Sequence, residues 1–167
     1  AQGGTADQAT AIYADRATRL SVLGNQVQDV QAGSGGPGGL SRVGGVGGQS
    51  VGLLLRDSDA VATSGNVVTQ IRGGGGGPGG AGIPGQLAFG EIGPDGAALG
   101  LYAVDSPGLT SSNDLVAGVQ TGTIAVAFHL AAPGGGPISQ VINATIYGVV
   151  GGALDGEVWG QGVRVEG

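Results

Sequence analysis

Cysteine, methionine and lysine are absent from this chain, and histidine occurs once, at position 129. Without cysteine there is no disulfide framework, no thiolate nucleophile and no Cys-based zinc site. Without lysine there is no P-loop lysine, no Schiff base and no lysine general base. His129 alone makes no multi-histidine metal centre. Charge is also scarce: 11% of residues are charged, and six arginines face twelve Asp and Glu, a formal net charge of −6 with a pI near 4.3. That balance argues against a reader of phosphate backbones. Aromatics are limited to one Trp, three Tyr and two Phe. No apolar run approaches the roughly 18 residues of a membrane span. The start at Ala1 shows no basic, then apolar, leader pattern, so synthesis and first residence in a cytoplasm are expected.

Glycine is in excess, at 40 of 167 residues, and 40% of the chain is hydrophobic. That apolar content, with so little charge, is unlike a disordered acidic polymer. Glycine is thinnest over residues 5–31, where a heptad spacing of alternating threes and fours runs through Ala6, Ala9, Tyr13, Arg16, Leu20, Leu23, Val27 and Val30. These a and d positions predict an N-terminal amphipathic or coiled-coil helix over residues 1–32, serving oligomerisation or attachment. Gly24 inside it costs about 1 kcal/mol of helix propensity, and a lone helix of this length is marginal in water. Packing on its own domain, association with identical copies and ordering only on a partner all fit the pattern. Residues 33–50 have the composition of a Gly-rich linker. A second glycine tract spans 73–85, with Gly73, Gly76, Gly79, Gly82 and Gly85 in a period of three, too short for an independent triple helix and expected as an ordered loop.

From Val51 the period becomes two. Ile124, Val126, Phe128 and Leu130 alternate with small or polar neighbours, as do Ile142, Ala144 and Ile146, and shorter runs occur at Leu53–Leu55, Val67–Ile71, Leu87–Phe89, Leu99–Val104 and Val158–Val165. Turn signals separate them at Gly93–Gly96, Ser106–Gly108, Pro133–Pro137 and Gly151–Gly152. The predicted fold is mainly β, with residues 51–167 as a C-terminal antiparallel β-sandwich or jelly roll.

Chemical motifs are weak. Gly48-Gln-Ser-Val-Gly52 matches G-x-S-x-G, but a nucleophile elbow needs a strand before Ser50 and a helix after it, and here the order is reversed. Gly33–Gly38 satisfies G-x-G-x-x-G through glycine content alone. Asp57-Ser-Asp59 has the spacing of a calcium-loop fragment without its glycine and terminal glutamate. His129 is expected on the strand face opposite Ile124, Val126 and Phe128, at a surface or interface. Trp159, Tyr147 and Tyr102 are candidates either for the core or for a sugar-stacking platform. No catalytic residue, cofactor or metal is expected.

A heptad helix, a glycine hinge and a β head, together with the stretch Leu87–Gly96 and its continuation Leu99–Gly108, resemble tailed-bacteriophage head-decoration, head-fibre and tail-fibre proteins. The resemblance implies a trimeric virion structural protein, a capsid decoration or head-fibre subunit gripping the major capsid or another virion protein through its N-terminus, with the β domain outward and a host surface glycan as a further partner. A tail-fibre or receptor-binding protein and a glycine-rich secreted surface adhesin are the alternatives. Neither nucleic acid nor membrane is an expected partner.

Overall fold

The computed structural model describes residues 2–82, 89–131, 137–154, 157–158 and 160–166. Fifteen strands and no helix occur among them. In chain order they are β1 (Ala9–Asp15), β2 (Ser21–Leu23), β3 (Gln26–Gln31), β4 (Ser50–Arg56), β5 (Ala62–Ser64), β6 (Val67–Arg72), β7 (Ala98–Val104), β8 (Thr110–Ser112), β9 (Leu115–Gln120), β10 (Ala125–Ala131), β11 (Gln140–Ile142), β12 (Thr145–Tyr147), β13 (Ala153–Leu154), β14 (Glu157–Val158) and β15 (Gly160–Glu166).

Three parallel sheets hold all but β13 and β14, which pair as a short antiparallel ribbon. The first runs β1-β4-β7-β10-β15, the second β2-β5-β8-β11 and the third β3-β6-β9-β12. The first three turns of chain therefore each contribute strands of seven, three and six residues, the fourth strands of seven, three and three, and each turn stacks in register on the one before. Ala9 pairs with Ser50, Ser50 with Ala98, Ala98 with Ala125 and Ala125 with Gly160. This is a parallel β-solenoid.

Two expectations fall here. Residues 9–31 are the strands of the first rung, so the N-terminal amphipathic or coiled-coil helix does not exist. The C-terminal region is neither an antiparallel sandwich nor a jelly roll, because its strands pair parallel with strands one rung away. The physical reason for the first error lies in the backbone. Arg16, Arg19 and Asp29 have φ of 52°, 56° and 58°, and Gly24 has 63°. Each left-handed residue interrupts the alternation of a strand and resets which side chains point inward. Val27 and Val30 consequently face the same core three residues apart, across Asp29, and imitate a helical step. The second error follows from turn signals read as hairpins: Ser106–Gly108 marks a solenoid corner between β7 and β8, Gly93–Gly96 runs in an extended glycine segment, and residues 133–136 lie outside the described residues.

The heptad residues are dispersed accordingly. Val27 is buried, Leu20 and Val30 pack at the edge of the core, and Ala6 and Ala9 are half-buried. Tyr13, Arg16 and Leu23 are exposed. They form no common seam.

The core fills the space between the three sheets with stacked aliphatics: Leu53, Leu55 and Leu101 from the long strands, Val61 and Leu109 at a corner, and Val68, Ile71, Val116 and Val119 from the third sheet, around Phe128. Phe128 and Leu130 join this core, whereas Val126 joins a separate cluster with Val51, Leu54 and Leu99. The alternation expected across 124–130 therefore breaks at Ala127.

The glycine tracts form a second ordered body. Residues 33–39 run outward and 42–48 return, with Gly48 N donating to Gly33 O, Gly45 N to Gly36 O and Arg42 N to Gly39 O at 2.8–2.9 Å. One rung on, Gly74, Gly77 and Gly80 donate to Gly48, Gly45 and Arg42, and Gly96, Gly93 and Gly90 donate to Gly74, Gly77 and Gly80. Donors thus recur every third residue, the repeat of a polyproline-II-type chain that bonds only to its neighbours. Over residues 73–82 of the second tract a period of three appears in the donors Gly74, Gly77 and Gly80, through lateral packing of single extended chains, and residues 83–85 lie outside the described residues.

Candidate functional site

Two polar ladders climb the solenoid corners. Ser58 Oγ accepts from Ala17 N at 3.1 Å and donates to Arg56 O at 2.8 Å, and Ser106 Oγ accepts from Ser58 N at 3.1 Å and donates to Val104 O at 2.8 Å. The other ladder is Asn25, Asn66 and Asp114. Asn25 donates its backbone N–H (3.0 Å) and side-chain amide (2.9 Å) to Asn66 Oδ1. Asn66 donates its backbone N–H (2.8 Å) and Nδ2 (2.9 Å) to Asp114 Oδ1, while Thr63 and Ser111 hydroxyls donate to Oδ2 at 2.6 Å each. Asp114 is 2% exposed, so this carboxylate terminates a buried chain of donors and stands in no solvent-open cleft.

The residues singled out for chemistry are scattered. Ser50 opens β4 fully buried, its hydroxyl accepting from Ala32 N at 2.8 Å and donating to Arg72 O. His129 lies on the outer face of the long-strand sheet, stacked on Tyr102 with ring centroids 4.8 Å apart. Asp57 and Asp59 lie in the corner turn after β4, and no group of three His, Cys, Asp or Glu residues arranged for a metal occurs among the described residues. Tyr147 is 59% exposed, Tyr102 is half-buried, and Trp159 lies outside the described residues.

At the C-terminal edge, His129 Nε2 approaches Glu166 Oε2 at 3.3 Å, and Arg164 Nε donates to Glu166 Oε1 at 2.6 Å. The His129 ring and the Arg164 guanidinium hold the Glu166 carboxyl below its ordinary value of 4.5. A depressed carboxyl stabilises the folded state above the unfolded value and loses that effect as pH falls through the folded one. Glu166→Gln is expected to melt below wild type at neutral pH, with the gap closing as pH drops below 4.5. A gap that stays constant across that range would disprove the coupling.

One recess lies on the outer face of the third sheet. It has a volume of about 420 Å³ and is lined by Gln28, Thr69, Gln70, Arg72, Ala117, Gly118, Gln120 and Tyr147. The sheet carries a column of left-handed residues, Asp29, Gln70, Gly118 and Gly148, with φ of 58°, 57°, 64° and 64°. Gln70 and Gly118 of this column line the recess, and Gly118 contributes no side chain to it. A second recess of about 450 Å³, involving Tyr13, Leu54 and Arg56, opens on the long-strand sheet.

The repeat behind both ladder and recess was present in the sequence but is not a motif of chemistry. Gly24-Asn-Gln-Val-Gln-Asp-Val30, Gly65-Asn-Val-Val-Thr-Gln-Ile71, Asn113-Asp-Leu-Val-Ala-Gly-Val119 and Asn143-Ala-Thr-Ile-Tyr-Gly-Val149 align position by position. Unequal spacing conceals it, since the long strands start at 9, 50, 98, 125 and 160, intervals of 41, 48, 27 and 35 residues. No family model matches the chain, and no curated protein matches it.

Proposed function

We propose that the chain is a non-catalytic structural and adhesive module of a surface appendage. The observation carrying this reading is the stacking of one rung plan through successive layers, with each layer's buried polar groups satisfied by the next. Such quasi-one-dimensional architecture stacks each layer on its neighbours and presents extended, regular outer faces, which suit a shaft or an adhesive surface. The extended glycine lattice adds backbone bonding without bulky side chains. The chain's buried polar side chains are engaged within the fold, those of Asn66, Asp114, Ser58 and Ser106 in the ladders and Ser50 with the Ala32 and Arg72 backbone.

A virion fibre or decoration protein and a cell-surface adhesin are both settings for such a module. The virion reading rests on a helical handle, a glycine hinge and a β head, and strands stand in place of the expected handle and an ordered glycine lattice in place of the hinge. The trimer inferred from the handle now rests on the fibre resemblance alone. The adhesin reading draws on the exposed sheet faces and the glycine lattice, and the geometry favours it. Antibody against the folded chain is expected to label intact, unpermeabilised producing cells. Label confined to purified phage particles would move the assignment to the virion. Label that appears only after lysis would overturn a surface role of either kind.

A further inference from the structure

We infer that the outer face of β3-β6-β9-β12 binds a linear neutral oligosaccharide lying along the solenoid axis. The inference rests on the adhesive reading and names its ligand class.

The groove has two columns of side chains flanking its left-handed floor. By register, Gln28, Thr69, Ala117 and Tyr147 form one, and Arg72 and Gln120 stand in the other. Successive members sit one rung apart, about 4.8 Å, so hydrogen-bonding groups recur along the groove rather than converging on a point. That layout suits a polymer of repeating polar units better than a compact metabolite. Glutamine amides both donate and accept, as sugar hydroxyls do. Among the described residues Gln120 and Tyr147 make no side-chain hydrogen bond, leaving both available. Tyr147 presents an exposed ring at the open end, where Gly118 adds no side chain, and an aromatic face there can stack on the C–H face of a pyranose.

Other ligand classes fit less well. The Gln70 amide faces the Asp29 carboxylate, and Arg72 lies 3.9 Å from Asp29, so the one cation of the groove is already opposed by an anion. With a net charge of −6 on the chain, a polyanion has little to attract it. The lining also lacks the central apolar anchor pocket that a protein partner uses.

The test is titration of the whole chain with cellohexaose, maltohexaose and chitohexaose, followed by calorimetry or amide chemical shifts. At least one of the three is expected to bind at millimolar concentration or tighter, with shifts centred on Gly118 and Tyr147. Tyr147→Ala should weaken binding on the order of tenfold, as loss of a stacking anchor does. Gly118→Asn should do the same by filling the floor; asparagine tolerates φ near +64°, and an unchanged melt would show the fold intact. Tyr13→Ala, at the other recess, should leave affinity unchanged. Failure of all three sugars to bind, or binding indifferent to both groove variants, would overturn the inference. Surface labelling of cells would still stand in that case, so the two readings fail separately.

Discussion

Gly77→Ala should destabilise the protein by about 3 kcal/mol or more, while Gly75→Ala, two residues away in the same tract, should be neutral or mildly stabilising. A Cβ on Gly77 would fall inside the van der Waals contact of the Gly36 and Gly35 carbonyl oxygens, backbone atoms of a segment held by the Gly45 N to Gly36 O and Gly35 N to Gly75 O bonds. Backbone cannot swing aside as a side chain does, so the neighbouring chain must move and lose its bonds. Overpacking in a rigid interior alone costs about 1–3 kcal/mol, and orphaned backbone groups add to that. At Gly75 the nearest atoms are Ser34 Oγ at 3.6 Å and Asp95 Oδ1 at 3.9 Å, ordinary contacts. Alanine there narrows the unfolded ensemble and is worth about 0.4–1 kcal/mol in favour of folding where the backbone tolerates it. Thermal melts of the two variants side by side decide the matter. Equal effects would mean that the tract is a loop of interchangeable glycines and not a packed lattice.

Asp114→Ala is the second large effect, expected at about 3–5 kcal/mol. Truncation strands Asn66 N, Thr63 Oγ1 and Ser111 Oγ in a buried corner and leaves Asn66 Nδ2 with its one remaining bond, to Val22 O at 2.9 Å. Each unsatisfied group costs about 1–3 kcal/mol, less where a hydroxyl rotates to another acceptor or water enters. Asp114→Asn should cost distinctly less. Its amide oxygen can still accept from Asn66, and its NH₂ can donate to hydroxyls that turn round to accept. The Asn66→Asp114 step would then repeat the Asn25→Asn66 step one rung below. Urea denaturation measures both variants. A difference smaller than about 1 kcal/mol between Ala and Asn would mean that the corner is solvated and the ladder carries little.

How far the fold was legible in sequence depended on where the backbone stayed regular. Leu99–Val104 and Val67–Ile71 read as strands from their composition, and they are strands, each all but one residue of β7 and β6. Their partners were not readable, because a parallel neighbour lies a whole rung away across intervals of 27 to 48 residues. The first rung misled most. Tyr13, Arg16, Leu20 and Leu23 keep heptad spacing, but Arg16 and Arg19 adopt left-handed backbone, a conformation for which composition offers no warning outside Gly, Asn and Asp. The glycine tracts were half legible: the period of three was visible at Gly73, Gly76 and Gly79, whereas the neighbours that make it useful, 33–48 and 90–96, come from separate passages of chain. For the groove, Tyr147 was nameable as a sugar platform. Its companions Gln28, Gln70 and Gln120 carry no motif and meet only through register.

The absence of cysteine makes one measurement unusually clean. Leu23 and Ser64 are register partners on β2 and β5, side by side on the outer face of their sheet. Adjacent strands lie about 4.8 Å apart, within the Cα separation a disulfide accepts. The double variant Leu23→Cys, Ser64→Cys should therefore oxidise to a monomeric disulfide in high yield, read by mass and by a gel shift reversed on reduction. The single variant Leu23→Cys should give no rapid cross-link between chains. In a coiled-coil handle the same position would lie in the seam, and the introduced thiols of two copies would join across it. Disulfide-linked dimers from the single variant, with no intrachain bond in the double, would contradict the solenoid.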